Sequence, residues 1–331
     1  KFNDFLTSVP SPMHSLFLSP TNGEEVVDIC SAFKAGTSSG FDDIKPDIVK
    51  AVIDLVKTPL THVFNLSISS GIVPDDLKVA RVVPIHKSGD ATLCNNYRPI
   101  SVLPVFSKIF ESIIHKRLYN FLDRYDLLQN CQFGFRKKHS SYMALLSAYD
   151  KIVSDLDKGL HTLGIFLDLS KAFDTIDHRI LLTKLHHYGV RGSAFEWFKS
   201  YLCNRTQYVC FKECKSSSRG VKCGVPQGSV LGPLLFIIFL NDITFSSDEF
   251  TFVTFADDTN VIVAHDNLHD LITIVNRELG NLSVWFKANK LSLNIDKTNY
   301  VIFRNRHSNR VYNDLNICIN NVQITRVFYT K

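Results

Sequence analysis

Apolar residues recur at two different spacings along the chain, and each spacing predicts a different kind of element. Recurrence every three or four positions predicts helices, and the strongest such stripe comprises Leu268, Leu271, Ile272, Val275, Leu279 and Leu282. Further helices are predicted around residues 48–56, 105–118, 145–156, 179–187, 194–202 and 234–240. Short apolar runs predict strands at residues 79–85, 163–169, 208–211, 250–255, 261–263 and 322–329. The mixture predicts an α+β fold.

Local signals mark where several of these elements begin and end. Thr21 and Glu24 have the spacing of a capping box, which predicts that a helix begins there. Pro104 is predicted near the start of a long helix, and Gly159 at the end of the next one. A tight polar turn joins the apolar runs at 250–255 and 261–263, which predicts a β-hairpin.

The composition is that of an ordinary globular protein: 45% of the 331 residues are apolar and 21% are charged. The longest apolar run, residues 230–240, is much shorter than the roughly 20 residues of a membrane span, so no membrane anchor is expected. No basic and apolar signal region follows Lys1, which predicts an intracellular protein. The first residue is not Met, which indicates a fragment of a longer chain.

The eight cysteines are mostly scattered, which predicts reduced thiols and no disulfide framework. Cys210 and Cys214 have a spacing that zinc ligands use. They lack a second tight pair, and Cys210 lies in an apolar run that is typical of a strand. No structural zinc is therefore expected.

Positive charge is concentrated in one segment of the chain. The net charge is +5, and residues 108–139 contain seven basic and three acidic side chains. Such a patch suits nucleic-acid phosphates, where Lys and Arg displace counterions. Charge alone leaves a solvated helix face open as the alternative.

Three carboxylates are candidates for a metal site. Asp168 ends an apolar strand, and Asp257 and Asp258 occupy the turn of the predicted hairpin. Carboxylates that are brought close together repel one another, and divalent cations relieve that repulsion. Two Mg²⁺ ions about 4 Å apart would support in-line phosphoryl displacement. The alternatives are simple turn chemistry, and a sugar hydrolase, for which the sequence shows no sugar-stacking cleft.

Seven short blocks resemble, in order, those of the reverse transcriptases of non-LTR retrotransposons of the jockey-like kind. They are ARVVPIHK at 80–87, NYRPIS at 96–101, QFGFR at 132–136, FLDLSKAFD at 166–174, GVPQGS at 224–229, FADD at 255–258 and LNIDKT at 293–298. Each block alone is weak evidence. Their order across nearly the whole chain makes a chance match negligible.

The resemblance implies a catalytic centre with two Mg²⁺ ions, for which Mn²⁺ is a substitute. Asp168 and Asp257 would be the principal metal ligands, with Asp258 beside them. The backbone carbonyl of Leu169 would add an oxygen. Lys297 corresponds to the family lysine proposed to protonate pyrophosphate; a solvated lysine is the alternative.

The resemblance also implies a nucleotide site and a template-primer site. Lys87 and Arg98 would hold the incoming triphosphate, since a point charge and a forked guanidinium suit phosphates. Phe173 would exclude a ribose 2′-hydroxyl; a core Phe is the alternative. Gln227 and Gly228 would approach the base pair, or simply form a turn before a helix. The basic residues assigned to template-primer phosphates are Arg136, Lys137 and Lys138.

The implied fold is the fingers and palm of a right-hand polymerase, with the palm a small antiparallel sheet backed by helices. Residues 1–66 would form a helical extension of the fingers, and residues 67–331 the reverse transcriptase domain, its fingers interleaved with the palm. The chain would end before the primer grip and thumb, and any endonuclease would precede it.

The implied activity is RNA-directed DNA polymerisation, a nucleotidyl transfer, for a transposable element. Its partners would be an RNA template, a DNA primer and deoxynucleoside triphosphates; the pattern leaves the oligomeric state open. The protein is expected in the nucleus during integration and in the cytoplasm when bound to its RNA. The alternatives are a decayed or co-opted copy that binds RNA without catalysis, and an RNA-dependent RNA polymerase. The intact carboxylates argue against the first, and the bulky Phe173 argues against the second.

Overall fold

The structure is a computed structural model that describes residues 2–304, 312 and 314–328, apart from 35 and 37, with side chains from Phe5 onward. The described residues form nine α-helices. These are α1 (Phe2–Thr7), α2 (Gly23–Ser31), α3 (Pro46–Ser70), α4 (Val105–Arg124), α5 (Ser141–Asp157), α6 (His178–His187), α7 (Gly192–Leu202), α8 (Gly232–Leu240) and α9 (Leu268–Ala288).

Twelve strands are found in the same part of the chain. They are β1 (Val79–His86), β2 (Tyr97–Val102), β3 (His161–Leu167), β4 (Thr206–Phe211), β5 (Cys214–Lys215), β6 (Arg219–Gly220), β7 (Thr251–Phe255), β8 (Asp258–His265), β9 (Asn299–Phe303), β10 (Cys318–Ile319), β11 (Val322–Gln323) and β12 (Thr325–Arg326). The predicted α+β class is confirmed.

The chain divides into two compact units, and neither is a continuous segment of sequence. The first unit takes residues 1–10, 128–175 and 239–331, and the second takes residues 11–127 and 176–238. The boundary predicted at residue 66 falls inside α3, which runs to Ser70.

A five-stranded sheet organises the first unit, in the order β12-β9-β3-β8-β7. Its four neighbouring strands from β9 to β7 are antiparallel, and only the edge strand β12 pairs in parallel. Helix α5 contacts β3, β7 and β8, and α9 contacts β8. The central strand β3 is almost wholly buried, with Leu163 and Ile165 inaccessible to solvent. Burial on both faces explains why its sequence is an unbroken apolar run.

The second unit combines a smaller sheet with a helical core. Its strands lie in the order β2-β1-β4-β5, and β6 also pairs with β4. Helix α3 contacts α2, α4 and α7. The aromatic centre is Trp197, which meets Phe110 edge to face at 5.3 Å and stacks on Tyr201 at 5.5 Å. Such ring geometries add to the stabilisation by apolar burial.

Most of the predicted elements are confirmed, including the long helix after Pro104 and the strand containing Cys210. The predicted capping box is wrong by one residue: Asn22, not Thr21, caps α2 by accepting a hydrogen bond from the Glu25 N–H. The strand predicted at 322–329 is split into β11 and β12, and Tyr329 lies outside the described residues. Across the described chain, none of the helices is both long enough and apolar enough to cross a membrane.

Candidate active site

The turn between β7 and β8 carries two of the predicted carboxylates. Phe255 pairs with Asp258, so Ala256 and Asp257 are the two central residues of a tight hairpin turn. Ala256 has φ 57°, a left-handed conformation that glycine usually supplies at this position of a type II′ turn. Ala256 is buried, whereas Asp257 and Asp258 are exposed. The hairpin therefore presents both carboxylates to solvent.

The third carboxylate is brought to the same place by the sheet register. Strand β3 pairs with β8 so that Leu167 faces Thr259. Asp168 is the residue directly after β3 and Asp258 is the first residue of β8, so this register brings the two residues to the same end of the sheet. Partial desolvation of its carboxyl group by neighbouring atoms, and then the negative charges of Asp257 and Asp168, raise the pKa of Asp258.

The chemistry of these donors fits a hard divalent cation, because carboxylate oxygens are what Mg²⁺ prefers. Repulsion from Asp257 and Asp168 contributes to the raised pKa of Asp258, and a cation would relieve that repulsion. Among the residues that the structure describes, no three His, Cys, Asp or Glu side chains are already spaced as a metal site. The carboxylates are thus neighbours and not a closed cage.

The LNIDKT segment holds the backbone of Asp168. The Asn294 N–H donates to the Asp168 carbonyl at 2.8 Å. The hydroxyl of Thr298 accepts from the Asp168 N–H at 3.4 Å and donates to the Asn294 carbonyl at 2.9 Å. Sequence reasoning assigned a role only to Lys297 in this block. Lys297 is exposed in the turn before β9, and a single bridge joins Leu293, four residues before it, to Leu169.

Phe173 lies in a short 3₁₀ turn, Ala172–Asp174, that follows the strand end. Its ring is half-buried and meets Phe135 edge to face at 6.2 Å. A half-exposed ring is available to a ligand in a way that an enclosed core Phe is not. This position suits the predicted contact with the sugar.

In the second unit, Lys87 and Arg98 lie on one face of the β1–β2 ribbon. Arg98 pairs with Ile85, and the Lys87 N–H donates to the Asn96 carbonyl at 2.8 Å, which continues the ladder. Lys87 and Arg98 are therefore diagonal neighbours, within reach of one another for long side chains. Both are exposed.

Gln227 and Gly228 form a turn that is fixed to β2. The Ser101 N–H donates to the Gln227 carbonyl at 2.7 Å. Gly228 has φ 114°, and a Cβ at this position would lie 2.6 Å from the Ser101 carbonyl oxygen. Only glycine fits both the torsion and the space.

Comparison with known sequences identifies the family. A family model described as reverse transcriptase (RNA-dependent DNA polymerase) matches residues 85–318, which is more than half of the chain. The chain belongs to the reverse transcriptase family. The match includes six of the seven sequence blocks and all three carboxylates.

Three of the curated relatives of this reverse transcriptase chain are proteins of Drosophila melanogaster mobile elements. It is 30% identical over 300 residues to the RNA-directed DNA polymerase from mobile element jockey, covering 88% of this chain and 33% of the relative. It is 29% identical over 313 residues to the probable RNA-directed DNA polymerase from transposon BS, covering 90% of this chain and 34% of the relative. The probable RNA-directed DNA polymerase from transposon X-element is 30% identical over 291 residues, covering 86% of this chain and 32% of the relative. The predicted resemblance is confirmed, and the chain spans about a third of these relatives.

The reverse transcriptase domain uses part of the predicted basic patch for its own structure. Arg117 donates to both carboxylate oxygens of Glu25, and Lys116 donates to one of them. Arg136 donates to the carbonyl oxygens of Gln129 and Gln132. Lys137 and Lys138 are exposed.

Glu111 is one of the three acidic side chains within residues 108–139 of this domain. It is 3% exposed and accepts hydrogen bonds from the N–H groups of Val230 and Leu231, at 2.6 and 3.2 Å, and from the Tyr201 hydroxyl at 2.8 Å. Burial raises the pKa of Glu111, although the nearby Arg205 charge opposes this. Glu111 thereby anchors the chain just after the GVPQGS loop. No local pattern signals this role.

Proposed function

We propose that this chain is the polymerase part of a mobile-element protein that copies RNA into DNA. It would add deoxynucleotides to a primer 3′-end under the direction of an RNA template. The observation that supports the proposal is the register of the first unit's sheet, which brings the residue after β3, Asp168, to the end of the sheet where Asp257 and Asp258 lie. The family membership supports the same reaction.

Asp168 and Asp257 would hold two Mg²⁺ ions, with Asp258 beside them. When bound, such ions lower the pKa of the attacking 3′-hydroxyl and stabilise charge on the leaving pyrophosphate. The bonds from Asn294 and Thr298 fix the backbone that carries Asp168. Because the ligands sit on a sheet and a tight turn, little reorganisation is needed as charge develops.

The remaining site residues would bind and select the nucleotide. Lys87 and Arg98 would neutralise the triphosphate. The Phe173 ring would exclude a 2′-hydroxyl, which favours deoxynucleotides. Gln227 and Gly228 would approach the base pair, and Lys297 would donate a proton to the departing pyrophosphate.

In this proposal the first unit is the palm and the second unit supplies fingers. The template-primer phosphates would be contacted by Arg136, Lys137 and Lys138. The biological process would be target-primed integration of the element, which takes place in the nucleus, with the RNA-bound protein also present in the cytoplasm.

Primer extension on an RNA template with Mg²⁺ and deoxynucleotides tests the proposal. The Asp257→Asn variant should lose at least about a hundredfold in rate, because it removes a charge that stabilises the metal ions. Asp157 is an exposed carboxylate at the end of α5. Asp157→Asn is therefore the matched control and should extend the primer at the wild-type rate. Equal extension by Asp257→Asn and wild type would refute the metal assignment. A wild type that binds RNA without extending any primer would favour the decayed copy.

A further inference from the structure

The segment between α4 and α5 runs alongside β7 and ends at the candidate catalytic turn. The Thr254 N–H donates to the Cys131 carbonyl at 2.8 Å, and the Phe133 N–H donates to the Thr254 carbonyl at 2.8 Å. The ring of Phe133 packs with Val253 and Ile262 in the core of the first unit. This segment, residues 131–134, therefore acts as a short parallel extension of the sheet edge.

The side chain of Gln132 binds the turn directly. Its Oε1 accepts from the Ala256 N–H at 3.0 Å and from the Gly134 N–H at 2.7 Å. Its Nε2 donates to the Ala256 carbonyl at 3.4 Å. Gln132 is only 5% exposed. Both polar atoms of the amide are thus used to hold the residue that precedes Asp257.

Gly134 makes room for this arrangement. A Cβ on Gly134 would lie 2.1 Å from the backbone nitrogen of Ala256. Any side chain there would push the turn away from the 131–134 segment. The close approach is backbone against backbone, so a neighbouring rotamer change cannot relieve it.

The torsion of Ala256 explains why the turn needs such support. A non-glycine residue at φ 57° is strained, and it persists only where its surroundings fix it. The turn has no glycine of its own at this point. Gln132, which is not part of the turn, supplies the constraint that holds the peptide before Asp257.

We propose that Gln132 and Gly134 are positioning residues that set the orientation of the Asp257 and Asp258 carboxylates. This inference rests on the proposed role of those carboxylates in holding metal ions. Arg136 supports it by donating to the Gln132 carbonyl at 3.4 Å. The QFGFR block thereby acquires a function apart from contact with template-primer.

Gln132→Met tests the proposal because it keeps the length of the side chain and removes its hydrogen bonds. The expected result is a decrease in kcat of about ten- to hundredfold, since small misplacements of reacting groups have effects of that size. The KM for template-primer should stay unchanged. The affinity for Mn²⁺, measured by electron paramagnetic resonance in the absence of substrate, should decrease several-fold.

Two companion variants separate positioning from simple core packing. Ala256→Gly in the Gln132→Met background should restore most of the Mn²⁺ affinity and kcat, because glycine adopts positive φ without strain. Gln323→Met, which removes another side-chain amide of the first unit and its bond to the Leu315 carbonyl, should leave both quantities unchanged. If Gln132→Met does not fold, the shorter Gln132→Asn is judged by the same criteria.

Wild-type kcat and Mn²⁺ affinity in a folded Gln132→Met protein would overturn the proposal. A loss that Ala256→Gly leaves unrescued would also overturn it, because that outcome assigns Gln132 to core packing alone. Asp257→Asn separates a failure of the positioning role of Gln132 from a failure of the proposed function. If Asp257→Asn is inactive and Gln132→Met is normal, only the positioning role fails; if Asp257→Asn is fully active, the proposed function fails as well.

Discussion

The hydroxyl of Thr298 links the backbone of Asp168 to the backbone of Asn294. It accepts from the Asp168 N–H and donates to the Asn294 carbonyl, and Thr298 is 1% exposed. Thr298→Val keeps the shape of the side chain but leaves both partners without this bond. We expect a loss of about 1 kcal/mol in the free energy of unfolding and a several-fold lower rate of primer extension. Thr251→Val, at the opposite end of β7 from the turn, should change neither quantity.

Gly228→Ala should damage the second unit locally. The new methyl group would meet the Ser101 carbonyl oxygen, and the residue would have to keep φ 114°. We expect a loss of about 1–3 kcal/mol in stability and a higher KM for deoxynucleotides. Gly220→Ala is the control, because a Cβ there has open space. Unchanged stability and KM in Gly228→Ala would contradict the expected turn geometry.

Acid should weaken the contact between Glu25 and the basic residues of α4. Burial raises the pKa of Glu25, but the hydrogen bonds from Arg117, Thr21 and Lys116 outweigh it and lower that pKa from 4.5 to about 2. A depressed carboxyl pKa stabilises the folded state above pH 4.5, and this contribution is lost as pH falls towards 2.

Glu25→Gln should therefore reduce the free energy of unfolding at pH 7 by about 1 kcal/mol, a value limited by solvent screening. The difference from wild type should shrink steadily in denaturant titrations between pH 4.5 and pH 2. Glu24→Gln, the exposed neighbour, should show no such trend. A difference that is independent of pH would exclude an ionic origin.

Replacement of Phe173 by Val should relax the selection of the sugar. A smaller side chain leaves room for a 2′-hydroxyl, so we expect ribonucleotide incorporation to rise at least about tenfold relative to deoxynucleotides. Competition between the two nucleotide types in primer extension measures this ratio. An unchanged ratio would remove Phe173 from the nucleotide site.

Lys137 and Lys138 should contribute to the salt dependence of nucleic-acid binding. Replacing both with Ala should reduce the slope of log K against log salt by about 1 for each phosphate that the variant no longer neutralises. Lys116→Ala is the matched control from the same basic segment, because its ammonium group is paired with Glu25. If Lys116→Ala reduced this salt slope and the double variant did not, the phosphate contact would belong to Lys116 and not to Lys137 and Lys138.

Sequence reasoning predicted the elements that carry the carboxylates because their signals are local. An apolar run that ends at Asp168, and a hairpin with Asp257 and Asp258 at its turn, are both visible in the residues themselves. The cap of α2 was misplaced because Thr21 and Asn22 are adjacent and both residue types form good caps.

Other features depended on partners that are distant in sequence. Glu25 pairs with Arg117, 92 residues away, which removes Arg117 from the charge expected for nucleic acid. Glu111 reaches Val230 across 119 residues, and Gln132 reaches Ala256 across 124. Neither spacing nor composition encodes such contacts. The fold had to be known before these supporting residues could be found.

The order of strands in the first unit has a consequence for synthesis on the ribosome. Strand β3 ends at Leu167 and lies between β8 and β9, which begin only at Asp258 and Asn299. Because both neighbours are synthesised later, β3 has no partner strand until those segments emerge from the ribosome, and pairing across such long sequence separations is slow. A nascent chain that stops before Asp258 therefore exposes an apolar strand and contains no assembled carboxylate site. Termination before β8 would therefore leave this apolar strand without either neighbour in the sheet, and unpaired apolar strands favour aggregation.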